Sequence, residues 1–349
     1  MNLKLLEKML QIYSPTGEEG PLAKFLRKEL TGRGFDARID RVGNVIGSKG
    51  TGEREVLLVG HMDTVSGEIP VKVRAGTIYG RGSVDAKGSL AAFIEAASRV
   101  KPPPELTVRI IGCVDEEGES KGAQHLIDRY RPDWIVIGEP SGWDAVTLGY
   151  KGSFWLRYRL KKPLAHRGYE GRTAAEEAVR CYEQLVERYP TETPRFDAVN
   201  VTLISINTAP GPFEESVEMF VGIRTPPGFE IAELEGWIEE NREVAQVEAS
   251  EAIPAIKVGK DNRLVRSFLG AIRAEGGRPR FKVKTGTSDM NLLGHAWNVP
   301  IVAYGPGDSR LDHTPEEHLE LEECERAVAV LTRAMDKIFD SLGAGGQSK

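Results

Sequence analysis

The sequence predicts an α/β protein: a mostly parallel sheet sandwiched by helices, interrupted by an inserted βαββαβ domain of ferredoxin-like type. Three observations carry this. Up to about residue 140, apolar β-branched runs bounded by glycine alternate with amphipathic helical segments. The texture then changes to strands that alternate apolar and polar residues, and after about residue 258 the first rhythm returns. Buried parallel strands read as continuous apolar runs, and half-exposed strands read with period two, so the change marks two kinds of sheet. At 349 residues the chain also exceeds what one core commonly serves. The economical division is one domain from 1–153 and 259–349, with 154–258 inserted.

The elements follow in order. Helical patterns at 3–13 and 19–33 lead to short strands at about 36–48. Then come EVLLVG (55–60), the helix SLAAFIEAASRV (89–100), LTVRIIGCV (106–114), a helix near 121–130 and DWIVIG (133–138). In the insert, SFWLRYRL is a half-exposed strand and GRTAAEEAVRCYEQLVERY a helix. AVNVTLISI and ESVEMFVGIR are strands, FEIAELEGWIEENR a helix and EVAQVEAS a strand, which completes βαββαβ. LVRSFLGAIRAEG is helical, NVPIVAYGPG is a buried strand, and a last helix runs from about 315 to 341. Its start is read from Thr314 as N-cap, Pro315 at the first helical position and Glu317 at the third.

Composition excludes several classes. A net charge of -6 disfavours nucleic acid as a bulk partner. No run of about 18 apolar residues occurs, so no membrane span is expected. The start, MNLKLLEKMLQIYS, is an amphipathic helix with Glu7 inside it rather than a signal peptide. Cys113, Cys181 and Cys324 match no zinc or disulfide spacing, and a cytoplasmic setting is expected.

In open α/β sheets the site lies outside the carboxyl ends of the strands. After EVLLV stand His61 and Asp63; after the turn GTIYGRGS stands Asp85, ahead of a helix. TVRIIGCV ends in Asp115, Glu116, Glu117 and Gly118; DWIVI ends in Gly138 and Glu139; NVPIVAYG leads to His313. Any one of these is ordinary for a loop, but five at matching places point to a site. Histidines and carboxylates without cysteine suit Zn²⁺, Co²⁺ or Mn²⁺. Two metals about 3.5–4 Å apart need one bridging carboxylate and terminal donors on each side. Asp63 is two residues from His61, so both side chains share a face of an extended segment. Adjacent Glu116 and Glu117 point oppositely and are expected to do different jobs, with Gly118 permitting a tight exit.

GHMDTV, GRGSVDAKGSL, VDEEGES, IGEP and LDHTPEEH, in that order, resemble the M20 dimetal amidohydrolases over nearly the whole chain. The resemblance implies that His61, Asp85 and Glu139 hold one metal and Asp85, Glu117 and His313 the other, with Asp85 bridging. It implies Glu116 as general base and Asp63 as the residue that orients His61. In the insert, His166 of KKPLAHRGYEG matches a family histidine that reaches the partner subunit's site in a dimer and stabilises the tetrahedral oxyanion. The family commonly has serine next, where this chain has Arg167. Arg224 resembles the family's substrate-carboxylate arginine, and Asn207, Gly286 and Ser288 match substrate-side positions.

KVRAGTIYGRGSVDAKGSLAAFI and KTGTSDMNLLG resemble the branch that releases lysine or ornithine from an acidic amino-group carrier protein in lysine or arginine biosynthesis. Two zinc or cobalt ions and a homodimer are implied. Arg157, Arg159 and Lys161 share one strand face, which either receives an acidic partner or is solvated edge charge. The alternatives are a small-molecule acetylornithine or acetyl-lysine deacetylase, a dipeptidase, or a non-catalytic binding relative.

Overall fold

The computed structural model describes residues 3–164, 171–190, 195–242 and 244–343. Two compact units emerge: 1–149 with 258–282 and 288–349, and 150–257 with 283–287. The return 283–287, which the sequence reading kept with the outer segments, clusters with the second unit.

In chain order, the first unit opens with α1 (Leu3–Gln11), α2 (Gly20–Gly32), β1 (Asp36–Ile39), β2 (Val45–Gly50) and β3 (Arg54–His61). It continues through β4 (Lys72–Arg74), β5 (Thr77–Tyr79), α3 (Lys87–Arg99), β6 (Leu106–Cys113), α4 (Lys121–Ile127), β7 (Trp134–Ile137) and β8 (Ala145–Tyr150). The second unit holds β9 (Gly152–Pro163), α5 (Ala174–Arg188), β10 (Asn200–Pro210), β11 (Glu214–Thr225), α6 (Ala232–Arg242) and β12 (Gln246–Ala249). The chain then forms β13 (Ile256–Lys257), α7 (Arg263–Ala274), β14 (Arg280–Lys284), α8 (Asp289–Trp297), β15 (Ile301–Ala303), β16 (His318–Glu320) and α9 (Leu321–Gly343).

The main sheet is mixed rather than mostly parallel. Along the order β1-β2-β6-β3-β7-β15-β8, only β6, β3, β7 and β15 run parallel. The outer pairs β1–β2, β2–β6 and β15–β8 are antiparallel. Connection length explains two of these pairings: α3 lies on the long crossover between the parallel neighbours β3 and β6, while the tight turn between β1 and β2 can join only antiparallel strands. That turn is built by Asp40, whose Oδ1 accepts from the amides of Val42, Gly43 and Asn44. The middle of β3 is apolar because both faces are covered; Val56, Leu57, Leu58 and Val59 are all fully buried.

α3 packs on β3 and β6 and against α1 and α9, so most of its surface is buried. Its approach to the loops demands glycine. A Cβ on Gly88 would lie 2.2 Å from the Ser83 carbonyl oxygen, and one on Gly305 would lie 2.0 Å from Ser89 Oγ. These contacts bring the strand-end loops down onto the helix.

Among the described residues, the second unit contains a four-stranded antiparallel sheet in the order β10-β11-β9-β12. α5 and α6 share an apolar core with one face, including Phe154, Leu156, Tyr158, Val221 and Ile223. The other face carries the basic stripe of β9, but register places acids beside it. Arg157 pairs with Glu218 at 2.5 Å and lies over the Phe220 ring; Arg159 pairs with Glu248 at 2.5 Å. These two arginines serve the sheet's own cross-strand pairs.

Candidate metal centre

The chemistry gathers where the parallel strands end. β3 finishes on His61 and continues to Asp63; β6 runs into Asp115, Glu116 and Glu117; β7 runs into Glu139. The turn before α3 supplies Asp85, and the segment after β15 supplies His313.

Asp85 lies between two imidazoles. Its Oδ1 is 3.1 Å from His61 Nε2, and its Oδ2 is 3.1 Å from His313 Nε2. Glu139 Oε1 is 3.9 Å from His61 Nε2, and Glu117 Oε1 is 2.9 Å from His313 Nε2. Two donor sets result: His61, Asp85 and Glu139; and Asp85, Glu117 and His313. In each, the donor atoms lie within 4.8 Å of one another. The five residues singled out in the sequence are thus brought together around one shared carboxylate.

The donor set fits two divalent ions. Nitrogen and carboxylate oxygens without thiolate suit zinc or cobalt. His61 Nδ1 lies 2.9 Å from the Asp63 main-chain oxygen, which fixes the tautomer and leaves Nε2 for a cation. Charge points the same way. With the protein's groups alone, Asp85 and Glu117 push His313 up to about 10 against the effect of burial. Burial disfavours a charged His61, yet Asp63 and Asp85 outweigh it and hold the ring well above its ordinary value. Burial pushes the Glu116 carboxyl well up; His61 opposes this, while Glu139, Asp289 and Glu117 add repulsion. Protons held on imidazoles between carboxylates occupy places that divalent cations fill.

Asp63 does more than face His61. Its Oδ1 is 3.5 Å from Nδ1, a longer contact than the main-chain one. The carboxylate accepts from the amides of Glu116 at 3.1 Å and Glu117 at 3.0 Å, and from the Thr16 hydroxyl at 3.0 Å. Burial raises its pKa, but His61 and these amides outweigh that and hold the carboxyl below its ordinary value. The acidic turn is tight, and Gly118 is only part of the reason. Asp115 and Ser120 take the left-handed conformation at φ 65° and 52°, while Gly118 gives room, since a Cβ there would meet Asp115 Oδ1 at 2.5 Å.

Several residues at the centre were not anticipated. Thr16 and Glu19 come from the loop after α1; Glu19 Oε1 accepts from the amides of Gly17 and Asp115. Asp289, at the start of α8, is buried, and burial pushes it to about 7 while Ser120 opposes the shift. Glu317 is fully buried and accepts from the amides of Gly82, Val84 and Asp85. That contact overturns the expected helix start at Pro315. The glutamate is captured by the Asp85 loop, residues 318–320 form β16, and α9 begins only at Leu321. His318 therefore stands on a strand beside the Tyr79 ring, not in a helix.

The remaining positions lie elsewhere. Ser288 caps α8, accepting from the Met290 amide. In the second unit, Arg224 Nη1 donates to Thr287 Oγ1 at 2.8 Å, next to Gly286. Asn207 pairs with Glu218, six positions along β11 from Arg224, which is about 20 Å of strand. His166 and Arg167 lie outside the described residues.

Residues 57–337 match the profile of peptidase family M20/M25/M40. The chain belongs to this family. Among M20 relatives, it is 43% identical over 348 residues to the LysW-lysine hydrolase of Deinococcus radiodurans, covering 96% of each chain. It is 42% identical to a putative LysW-lysine/LysW-ornithine hydrolase of Thermococcus kodakarensis, covering 96% of this chain and 92% of the other. The same fold occurs in a Staphylococcus aureus tripeptidase, at a TM-score of 0.80, 18% identity, and coverage of 97% and 98%. Family, fold and paired donor sets make this M20 chain a dimetal amidohydrolase. Among the described residues, no helix is long and apolar enough to cross a membrane.

Uptake of Zn²⁺ by the metal-free protein at neutral pH should release protons, because His313 keeps its proton up to about pH 10 and a ligating imidazole is neutral. Affinity should therefore rise with pH. Calorimetric titrations in two buffers of different ionisation enthalpy should give different apparent enthalpies; equal values would contradict the charge state assigned to His313.

Proposed function

We propose that this enzyme hydrolyses the amide on the α-amino group of lysine or ornithine, releasing the amino acid from an acidic amino-group carrier protein in lysine or arginine biosynthesis. The single strongest support is end-to-end identity of 43% and 42% to the two relatives named for LysW-linked substrates. A small N-acyl amino acid is the competing substrate class. The three cysteines are buried and none is in a disulfide, which suits a cytoplasmic enzyme.

In this reading, His61, Asp85 and Glu139 hold one ion, and Asp85, Glu117 and His313 the other. When bound, the two ions supply Lewis-acid polarisation of the amide carbonyl and a water acidified to near neutrality. Glu116 takes the proton of the attacking water on its carboxylate and returns it to the leaving α-amino nitrogen as the C–N bond breaks. Asp63 holds the Glu116 and Glu117 amides, so base and ligand keep their separate directions. Arg224 is assigned to the substrate's α-carboxylate, which a guanidinium can grip through two parallel hydrogen bonds. Gly286 and Ser288 border that substrate region in sequence, and Asn207 is assigned to the substrate side by resemblance alone. His166 is assigned to the oxyanion of the partner subunit's site, also by resemblance.

The second unit is read as a ferredoxin-like dimerisation domain. Its outer strand β10 carries exposed Leu203 and Ile204, at 36% and 62%, on an edge that can pair with a second copy. Leu203→Glu with Ile204→Glu should convert a dimer to monomers in sedimentation velocity; a monomeric parent protein would remove this reading.

Glu116→Gln should leave two ions per chain and lower kcat by about 10²–10⁴. Glu117→Gln should lose one ion, as read by elemental analysis. Substantial turnover by Glu116→Gln would exclude it as the base. Carrier-linked lysine should be cleaved with far higher kcat/KM than acetyl-lysine or acetylornithine. The reverse preference would refute the carrier assignment while leaving the amidohydrolase intact.

A further inference from the structure

Glu317 stands four residues beyond His313, fully buried, on a segment to which no reaction step is assigned. Its two oxygens divide four donors between them. Oε1 accepts from the amides of Val84 at 2.9 Å and Asp85 at 3.0 Å. Oε2 accepts from the Gly82 amide at 3.0 Å and from Arg81 Nη1 at 2.9 Å. Arg81 is itself buried, and its Nε donates to the Gly67 carbonyl at 3.0 Å. The Gly80 amide returns the contact, donating to the Glu317 main-chain oxygen at 3.4 Å.

A buried carboxylate is strongly disfavoured unless its lone pairs are met and its charge is paired. Here all four partners come from the loop 81–85, and three of them are main-chain amides. They can converge on one carboxylate only if that loop holds a single path. The loop ends in Asp85, the donor common to both ion sites. The acid that fixes it belongs to the segment that begins with His313, a donor to one of them.

We propose that Glu317 is a positioning residue that locks the Asp85 loop to the His313 segment, so that both metal positions are set together. The proposal rests on the dimetal reading of the centre. Displacing the Asp85 main chain disturbs both donor sets at once, whereas losing a terminal donor disturbs one. Glutamine at 317 would put an NH₂ against two of the four donors. Aspartate would keep both acceptor oxygens and the charge, drawn back by one methylene.

The test uses the full-length protein, stripped of metal and titrated with Co²⁺. Calorimetry and the visible Co²⁺ absorption follow binding, and thermal unfolding of each metal-free form reports folding. The parent should take two ions per chain, and His313→Ala should take one with near-parental affinity. Glu317→Gln should weaken both ions by about 10- to 100-fold, with an altered Co²⁺ spectrum at each. Glu317→Asp should fall between and recover most of the affinity. Parental affinity for either ion in folded Glu317→Gln would overturn the proposal. If Glu317→Gln does not fold, Glu317→Asp decides: weakening of both ions at an unchanged metal-free Tm supports the lock, and weakening of one or neither overturns it. A parent that fails to bind two ions would instead defeat the dimetal reading.

Discussion

The Asp63 carboxylate is completely buried, and the amides of Glu116 and Glu117, the Thr16 hydroxyl and the His61 ring all converge on it. Consecutive glutamates beside other carboxylates repel one another, and a free turn would splay them into water. Anchoring their main chain to a buried acid fixes where each side chain starts. Each glutamate then leaves its amide in the direction the backbone sets. Thr16 extends the same anchor to the loop after α1, so the order of the turn depends on a segment about a hundred residues earlier in the sequence.

The centre is thus organised by acids of two kinds. Asp63 and Glu317 have their oxygens met by main-chain amides and side-chain donors, and they act as fixed points. Asp85, Glu117 and Glu139 turn oxygens toward imidazoles and toward each other. Against the effect of burial, His61 and the two amides hold the Asp63 carboxyl below its ordinary value, whereas the second kind stand close together around the imidazoles. Asp85 in particular is shared by the two imidazoles of His61 and His313. The same residue type serves as scaffold or as ligand, according to what its oxygens meet.

Much of this was legible in the sequence, because strand ends and their residue types are local features. The apolar runs located β3, β6 and β7, and the side chains that follow them are the ones the structure gathers around Asp85. What was not legible depends on partners distant in the chain. Thr314, Pro315 and Glu317 carry a sound local helix signal, and the Asp85 loop overrides it by offering Glu317 better donors. The basic stripe on β9 looked open because its cross-strand neighbours, Glu218 and Glu248, are set by register. The antiparallel pairs β2–β6 and β15–β8 likewise join strands that are not consecutive, a pairing the strand patterns do not specify.

The distribution of residues between the two units has an evolutionary consequence. His61, Asp85, Glu116, Glu117, Glu139 and His313 all belong to the first unit, as does Ser288, while Asn207, Arg224 and Gly286 belong to the second. Because the second unit is almost wholly one continuous insertion, its strands and loops can diverge without disturbing the anchors that hold the acids. On the proposed assignment of Asn207 and Arg224 to the substrate, selection on what is cleaved and selection on how it is cleaved act largely on different stretches of the gene. On that assignment a lineage can change its diet of amides while its metal chemistry stays in place.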